Sequence, residues 1–121
     1  MSYVNEEIEV LKHNDFCKEK LHFEGLCIDK FKRIVVRDGN EIELTYTEFE
    51  MLLLLAQNAG IVFSKEQIYE AVFGYDGTAD DTAVTQHIKN IRAKLRTAGV
   101  AAPETVLKTI WGVGYQWKSE T

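Results

Sequence analysis

The chain has 121 residues, of which 45% are hydrophobic and 27% are charged, and its formal net charge is −5. This size suits one globular domain with a modest core and leaves little room for a second. No run of about 18 apolar residues occurs, which excludes a membrane span, and the start lacks the basic flank and apolar stretch of a signal peptide. We therefore expect a cytoplasmic protein.

The sequence shows no residue pattern typical of a metal, cofactor or catalytic site. Cys17 and Cys27 lie ten positions apart, with no CxxC pair and no His at metal-ligand spacing, so we interpret both as reduced thiols. The sequence offers no nucleophile beside a base and no cofactor-binding loop. We expect no metal, no cofactor and no enzymatic activity.

The charge is unevenly divided along the chain. Residues 1–81 hold 17 acidic and 8 basic side chains, whereas residues 82–121 hold 2 acidic and 6 basic ones. Exposed charges more than about 8–10 Å apart are largely screened, so a basic face on an acidic body still produces a local positive field. The negative total therefore does not exclude a nucleic-acid partner.

The first third of the chain predicts an arm and a small sheet. Residues 1–20 are polar and weakly periodic, which is typical of a linker or arm. Short apolar runs follow between Leu21 and Leu44, and Gly25 and the pair Asp38-Gly39 separate them. An Asp-Gly pair between two such runs indicates a hairpin, so we expect an antiparallel sheet here.

Helix signals follow the sheet. Capping boxes, in which Ser or Thr is followed three residues later by Glu or Gln, begin at Thr45 and Ser64. We expect the first helix over about Thr47 to Asn58, a short second helix that stops at Gly74, and a third from about Thr82 to Ala98. Beyond Pro103, two apolar runs flank the sequence WGVG, which predicts a C-terminal hairpin with a glycine-bearing tip.

The third helix has two different faces at about 100° per residue. Ile88, Ile91 and Leu95 fall within about 40° of Val84, and the four residues form a narrow apolar seam that must face the core. The opposite face and its edges carry Thr82, Gln86, His87, Lys89, Asn90, Arg92, Ala93, Lys94, Arg96 and Thr97. No acidic residue occurs between Thr82 and Thr97.

This acid-free face allows two interpretations. A solvated surface helix usually mixes both signs of charge and gains from Glu placed four residues before Lys. The major groove of DNA admits one helix, has phosphates on both lips, and offers adenine edges that Asn and Gln recognise. The missing acids favour the DNA interpretation over the surface helix.

Three segments together resemble one known family. LTYTEFEMLLLLAQNAGIVFSKEQIYEAVFG, TAVTQHIKNIRAKL and VLKTIWGVGYQW are similar, in order and spacing, to the effector domain of OmpR/PhoB-type response regulators. The similarity covers about Leu21 to Lys118 and leaves residues 119–121 as a tail. It implies an α+β winged helix-turn-helix with a four-stranded N-terminal antiparallel sheet, three helices and a C-terminal β-hairpin wing. The third helix would be the recognition helix.

The resemblance also implies roles for individual residues. Gln86 and Asn90 stand where the family reads bases. The implied phosphate or sugar contacts are Thr82, Thr85, His87, Lys89, Arg92 and Arg96 on the helix, and Thr109 and Trp111 in the wing.

This chain departs from the family at two places. Trp111 replaces an Arg that many members insert into the minor groove, and an indole has one donor and no charge. We expect Trp111 either to stack on sugar and phosphate or to pack into the hinge of the wing. Thr82 and Ala83 replace the Arg-Thr pair that often opens the recognition helix, which weakens a phosphate contact at that end.

The implied partners are those of the family. They are double-stranded DNA with direct-repeat half-sites, an upstream receiver domain, and RNA polymerase at the loop that includes Tyr75, Asp76 and Gly77. We expect the domain alone to be monomeric without DNA. The alternative is a winged-helix protein-interaction module that does not bind DNA, for which the acidic residues 1–81 would suit a basic partner.

Overall fold

The computed structural model describes residues 21–23, 25–74 and 82–119, and these form two small antiparallel sheets with helices between them. The elements, in chain order, are β1 (Leu21–Phe23), β2 (Leu26–Asp29), β3 (Ile34–Arg37), β4 (Asn40–Ile42), α1 (Tyr46–Gln57), β5 (Val62–Ser64), α2 (Lys65–Phe73), α3 (Thr82–Thr97), α4 (Pro103–Val106), β6 (Leu107–Ile110) and β7 (Gly114–Trp117). This order confirms the α+β winged-helix class. No helix within the described ranges is long and apolar enough to cross a membrane.

The N-terminal sheet has the four antiparallel strands that the resemblance implied, in the order β1-β2-β3-β4. The turn between β3 and β4 is the predicted Asp-Gly hairpin, closed by the pairing of Arg37 with Asn40. Asp38 and Gly39 have φ values of 49° and 87°, which a two-residue turn of this hand requires. The pair therefore fixes the register of the hairpin.

Both predicted capping boxes are present. The N–H of Glu48 donates to Thr45 Oγ1 at 3.1 Å, and the N–H of Thr45 donates to Glu48 Oε1 at 3.0 Å. Ser64 and Gln67 make the same reciprocal bonds at the start of α2. These bonds satisfy backbone donors that a helix start would otherwise leave unpaired, so α1 and α2 begin directly after the predicted caps. Helix α1 starts at Tyr46 and ends at Gln57, one residue earlier at each end than expected.

The C-terminal region is more elaborate than the predicted hairpin. The short strand β5 pairs with β7, which gives a three-stranded sheet in the order β5-β7-β6. The four-residue helix α4, with Pro103 in its first turn, is a fourth helix where we expected three. Both elements are too short to show hydrophobic periodicity, and for that reason the sequence did not indicate them.

Gly114 allows β5 and β7 to approach each other. A Cβ at this position would lie 1.9 Å from the carbonyl oxygen of Phe63 in β5, closer than any real contact. Gly114 is therefore needed for the pairing of β5 with β7. We define the wing as residues 107–117.

The four seam residues of α3 lie in the core, as predicted. They are at most 1% exposed and belong to the same cluster as buried side chains of α1 and of the wing. Members of the cluster include Val84, Ile88, Ile91 and Leu95 of α3, Met51, Leu52 and Leu55 of α1, and Leu107 and Trp117 of the wing. Burial of these four residues determines which residues of α3 face outwards.

An ion pair between a partly exposed lysine and a buried carboxylate also joins α1 to α3. Lys94 Nζ lies 2.6 Å from Oε1 of Glu48, whose side chain is almost fully buried. Burial alone would raise the pKa of Glu48, but the hydrogen bonds from Lys94 and from the Thr45 N–H lower it, and the net pKa is below the ordinary value. The carboxylate is thus more stable in its charged form in the folded protein.

We expect Glu48→Gln to destabilise the fold near pH 7 by about 1–3 kcal/mol, because Gln keeps the capping geometry but loses the charged pair. The lowered pKa means that the stabilisation is present above the unfolded pKa, about 4.3, and is lost as pH falls through the folded pKa. Chemical denaturation between pH 7 and pH 3 should show the difference shrinking in acid. A difference that stays constant over this range would contradict the assignment.

The matched control is Glu50→Gln. Glu50 pairs with Arg33 at 2.6 Å, but both side chains are partly exposed. Pairs near the surface contribute about 0–1 kcal/mol, so this variant should change little at either pH.

We expect Gly114→Ala to destabilise the protein by more than about 3 kcal/mol, since the new methyl group must separate β5 from β7. Gly112→Ala is the control, because Gly112 has a φ of 80° but no atom within 4 Å of an added Cβ. The control should lose only about 1–2 kcal/mol of stability, because Ala is strained at this backbone conformation. Equal losses in thermal or urea unfolding would disprove the close approach at Gly114.

Candidate nucleic-acid interface

The outer face of α3 presents the two predicted base-reading amides side by side. Gln86 is exposed and Asn90 is half-buried, and Gln86 Nε2 donates to Asn90 Oδ1 at 3.0 Å. Residues four apart on a helix are neighbours, so this bond fixes two amides on one strip. The side-chain oxygen of Gln86 and the side-chain nitrogen of Asn90 take no part in this hydrogen bond.

These two atoms suit one edge of a base pair. In the major groove adenine presents an acceptor at N7 and a donor at its N6 amino group. The nitrogen of Asn90 can donate and the oxygen of Gln86 can accept, so the pair offers both partners together. The arrangement is chemically able to read a base edge.

Two of the predicted phosphate-binding cations lie at the surface. Lys89 is exposed on the same face as the amides. Arg96 pairs with Glu104 of α4, and both side chains are about half exposed, at 53% and 55%. The hydrogen bond from Arg96 lowers the pKa of Glu104. Because the pair is open to solvent, a phosphate oxygen can reach the Arg96 guanidinium.

Arg92 points towards the wing. Its Nε and Nη2 donate to the Leu107 carbonyl at 3.0 and 2.6 Å, and Nη2 also donates to Thr109 Oγ1 at 2.8 Å. The guanidinium lies 5.7 Å from the ring centroid of Tyr115. Burial lowers the pKa of Arg92, and Tyr115 and Glu104 oppose this shift.

These bonds engage Nε and Nη2 of Arg92 with the wing strand, and the predicted phosphate contact by Arg92 stays a prediction. The sequence placed Arg92 at the edge of the helical wheel, next to the apolar seam. That edge position was the available signal that the side chain lies beside a packed element, but it did not say which one.

His87 also lies away from the amide face. It is half-buried, and its ring centroid is 6.2 Å from that of Phe73 in α2. Its Nδ1 is buried and has no hydrogen-bond partner in the part of the chain that the structure describes. The geometry therefore associates His87 with the packing of α2 against α3.

The wing tip exposes a large apolar side chain. Trp111 is 91% exposed and Val113 is 55% exposed, on either side of Gly112, whose φ is 80°. The expected alternative in which Trp111 packs into the hinge of the wing is therefore wrong. The other alternative, in which Trp111 stacks on sugar and phosphate, needs an exposed indole and stays a prediction.

A groove of about 530 Å³ separates the wing from the N-terminal ends of α2 and α3. Its lining brings together three of the predicted contact residues, Thr85, Thr109 and Trp111, and adds Lys65, which the sequence analysis did not single out. Thr82 lies at the first turn of α3 and is exposed. The predicted polymerase-contact residues Tyr75, Asp76 and Gly77 lie outside the described residues.

The family of the chain follows from a comparison with family models and known proteins. The model for "Transcriptional regulatory protein, C terminal" matches residues 39–117. The regulatory protein VanRB of Enterococcus faecalis is 49% identical over 82 residues, which are 68% of this chain and 34% of that protein. The chain spans about a third of the length of VanRB and of another relative, the transcriptional regulatory protein SpaR of Bacillus subtilis.

Solved structures agree with this assignment. The DNA-binding domain of CpxR from E. coli is 35% identical with a TM-score of 0.71, over 84% of this chain and 98% of that one. The RstA DNA-binding domain of Klebsiella pneumoniae, solved in complex with RstA box, is 27% identical with a TM-score of 0.72, over 83% and 97% of the two chains. The chain therefore belongs to the family of C-terminal domains of transcriptional regulatory proteins, the OmpR/PhoB-type winged helices that its motifs resemble.

Proposed function

We propose that this domain binds double-stranded DNA in a sequence-specific way and controls transcription as the effector domain of a two-component response regulator. The observation that carries the proposal is the outer face of α3, where two bonded amides and exposed cations lie on a helix that has no acidic residue of its own. Two similar solved structures support it: the DNA-binding domain of CpxR and the RstA DNA-binding domain in complex with RstA box.

In this proposal α3 lies in the major groove, with Gln86 and Asn90 against base edges. Phosphates are held by Lys89 and Arg96, with Thr82 and Thr85 near the start of the helix. Phosphate contacts by Arg92 and His87, which the resemblance implies, stay part of the proposal, although Nε and Nη2 of Arg92 are bonded to the wing strand and His87 lies beside Phe73.

The wing supplies the second contact. Thr109 and Trp111 line the groove beside α3, and the exposed indole is available to stack on sugars of the adjacent strand. Apolar side chains that meet the minor groove act by contact and by wedging, so Trp111 would contribute without a charge. This contact replaces the electrostatic one that an Arg makes at the same place.

The remaining parts of the proposal concern the longer protein. A receiver domain would precede the domain, two copies would bind direct-repeat half-sites, and the region of Tyr75, Asp76 and Gly77 would meet RNA polymerase. We propose that the domain is monomeric without DNA and acts in the cytoplasm, where it meets its operator. A protein-interaction module without DNA binding is less well supported, because it gives no reason for the acid-free face of α3.

Asn90→Ala should weaken binding to the preferred duplex by about 1–3 kcal/mol and should weaken binding to unrelated duplexes much less. The reason is that the variant removes one half of the amide pair and leaves the cations in place. Titration of labelled duplexes by fluorescence anisotropy measures both affinities. If both affinities change by only a few tenths of a kcal/mol, Asn90 does not read a base.

Lys89→Ala is the control on the neighbouring residue of the same helix. It should weaken all duplexes about equally and reduce the slope of log K against log salt by roughly one. A wild-type slope indistinguishable from zero would contradict the proposed phosphate contacts.

A further inference from the structure

The wing tip, residues 110–113, is a closed turn. The N–H of Val113 donates to the Ile110 carbonyl at 2.9 Å, and Gly112, the third residue of the turn, has a φ of 80°. A positive φ at this position is typical of a type II turn, and glycine adopts it without strain. No described atom lies within 4 Å of a Cβ added at Gly112. The tip is therefore narrow and open at its centre.

The tip is also apolar and uncharged. Trp111 is 91% exposed and Val113 is 55% exposed, one on either side of Gly112. No Asp, Glu, Lys or Arg occurs between Lys108 and Lys118. The tip thus lacks the charge with which an arginine recognises the negative potential of a narrow minor groove. If the tip reads DNA, it does so by apolar contact.

The tip lies beside the helix that is proposed to enter the major groove. Trp111, Gly112 and Val113 line the protein groove of about 530 Å³, and Thr85 of α3 lines the same groove. When α3 lies in the major groove of a duplex, one sugar-phosphate strand separates that groove from the adjacent minor groove. The exposed apolar tip is therefore continuous with the proposed interface and is placed to meet the minor groove.

We propose that the wing tip inserts Trp111 between two stacked base pairs from the minor groove and kinks the duplex at that step. The inference rests on the proposed function and goes beyond its sugar contact, since it names a deformable base step as the target of the wing. An indole stacked on a sugar keeps one face in water, whereas an indole between two base pairs has both faces covered.

The sequence preference of such a wedge follows from the cost of unstacking. Apolar side chains that enter the minor groove in this way kink the duplex by about 20–90°. Pyrimidine–purine steps such as TA and CA are flexible and unstack easily, whereas A-tracts are stiff. The wing of this chain should therefore select a pyrimidine–purine step, where an arginine in place of Trp111 would select a narrow A-tract.

The test compares the wild type, Trp111→Ala and Phe31→Ala in the whole chain, on a duplex selected by the wild type. Phe31 is the matched control because it is also an exposed aromatic residue, at 76%, and lies between β2 and β3, outside the proposed DNA contacts. Energy transfer between dyes at the two ends of the duplex measures its bend. Fluorescence anisotropy measures the affinity.

We expect Trp111→Ala to reduce the bend by at least about 20°. It should also weaken binding by about 5- to 150-fold, the range that stacking of one base on an aromatic ring supplies. Phe31→Ala should match the wild type in both readouts. If Trp111→Ala binds more weakly but bends the duplex as the wild type does, the indole only touches the surface of the duplex and the proposal is overturned.

A mismatched base pair separates insertion from surface contact. A mismatch at the step that receives the indole lowers the cost of unstacking before the protein binds, so the wild type should bind this duplex more than about twofold tighter than the matched one. Trp111→Ala should bind the two duplexes equally. The mismatch is moved one base pair at a time along the sequence that flanks the motif. No gain at any step would overturn the proposal.

Trp111→Arg is a second variant with a different expected result. It adds a charge, so the slope of log K against log salt should become steeper by roughly one. The bend should decrease, and selection from a random pool should replace the pyrimidine–purine step by an A-tract. Selection of the same step by Trp111→Arg and by the wild type would contradict insertion of the indole.

The two proposals can be distinguished when they fail. If the wild type binds no duplex at low salt, both are overturned. If the wild type selects a motif but its bend does not depend on Trp111, the proposed function stands and only the wedge is overturned.

Discussion

Burial of the apolar seam of α3 is the constraint on which the rest of the structure depends. Val84, Ile88, Ile91 and Leu95 are all but inaccessible to solvent. Fully burying one such side chain is worth about 1.5–3 kcal/mol, so rotating the helix to expose the seam would cost more than a domain of this size can lose. Because the helical repeat is fixed, burying this face leaves the amides and cations on the other one.

Two further contacts connect α3 to its neighbouring elements. The pair between Glu48 and Lys94 joins α1 to α3 on one side, and the bonds from Arg92 to the wing join α3 to β6 on the other. Gly114 allows the wing sheet to pack closely against β5. Direct contacts therefore connect α1, α3 and the wing, which carry the proposed binding residues.

The sequence predicted the elements whose signals are local. The capping boxes at Thr45 and Ser64, the Asp-Gly turn and the seam of α3 each follow from a backbone or periodicity rule that needs no distant partner. Strand β5 and helix α4 were missed because three or four residues carry no period, and their formation depends on β7 and on Pro103.

The site was predicted less completely than the fold. Pattern alone placed Gln86 and Asn90 on one strip, and the structure shows them bonded. It could not tell that Arg92 turns towards the wing or that Trp111 is exposed, because both facts depend on tertiary contacts between residues far apart in the chain. The DNA contacts of all these residues stay predictions.

Selection of bound duplexes from a random pool tests the central claim, that the outer face of α3 and the wing read DNA together, most directly. We expect the wild-type pool to converge on a short motif, repeated in direct orientation with half-sites about 10–10.5 base pairs apart. The Gln86→Ala, Asn90→Ala double variant should lose the preference at one or two positions of that motif and still retain duplexes. A wild-type pool that stays random after repeated rounds, or a double variant that selects the same motif, would contradict the account.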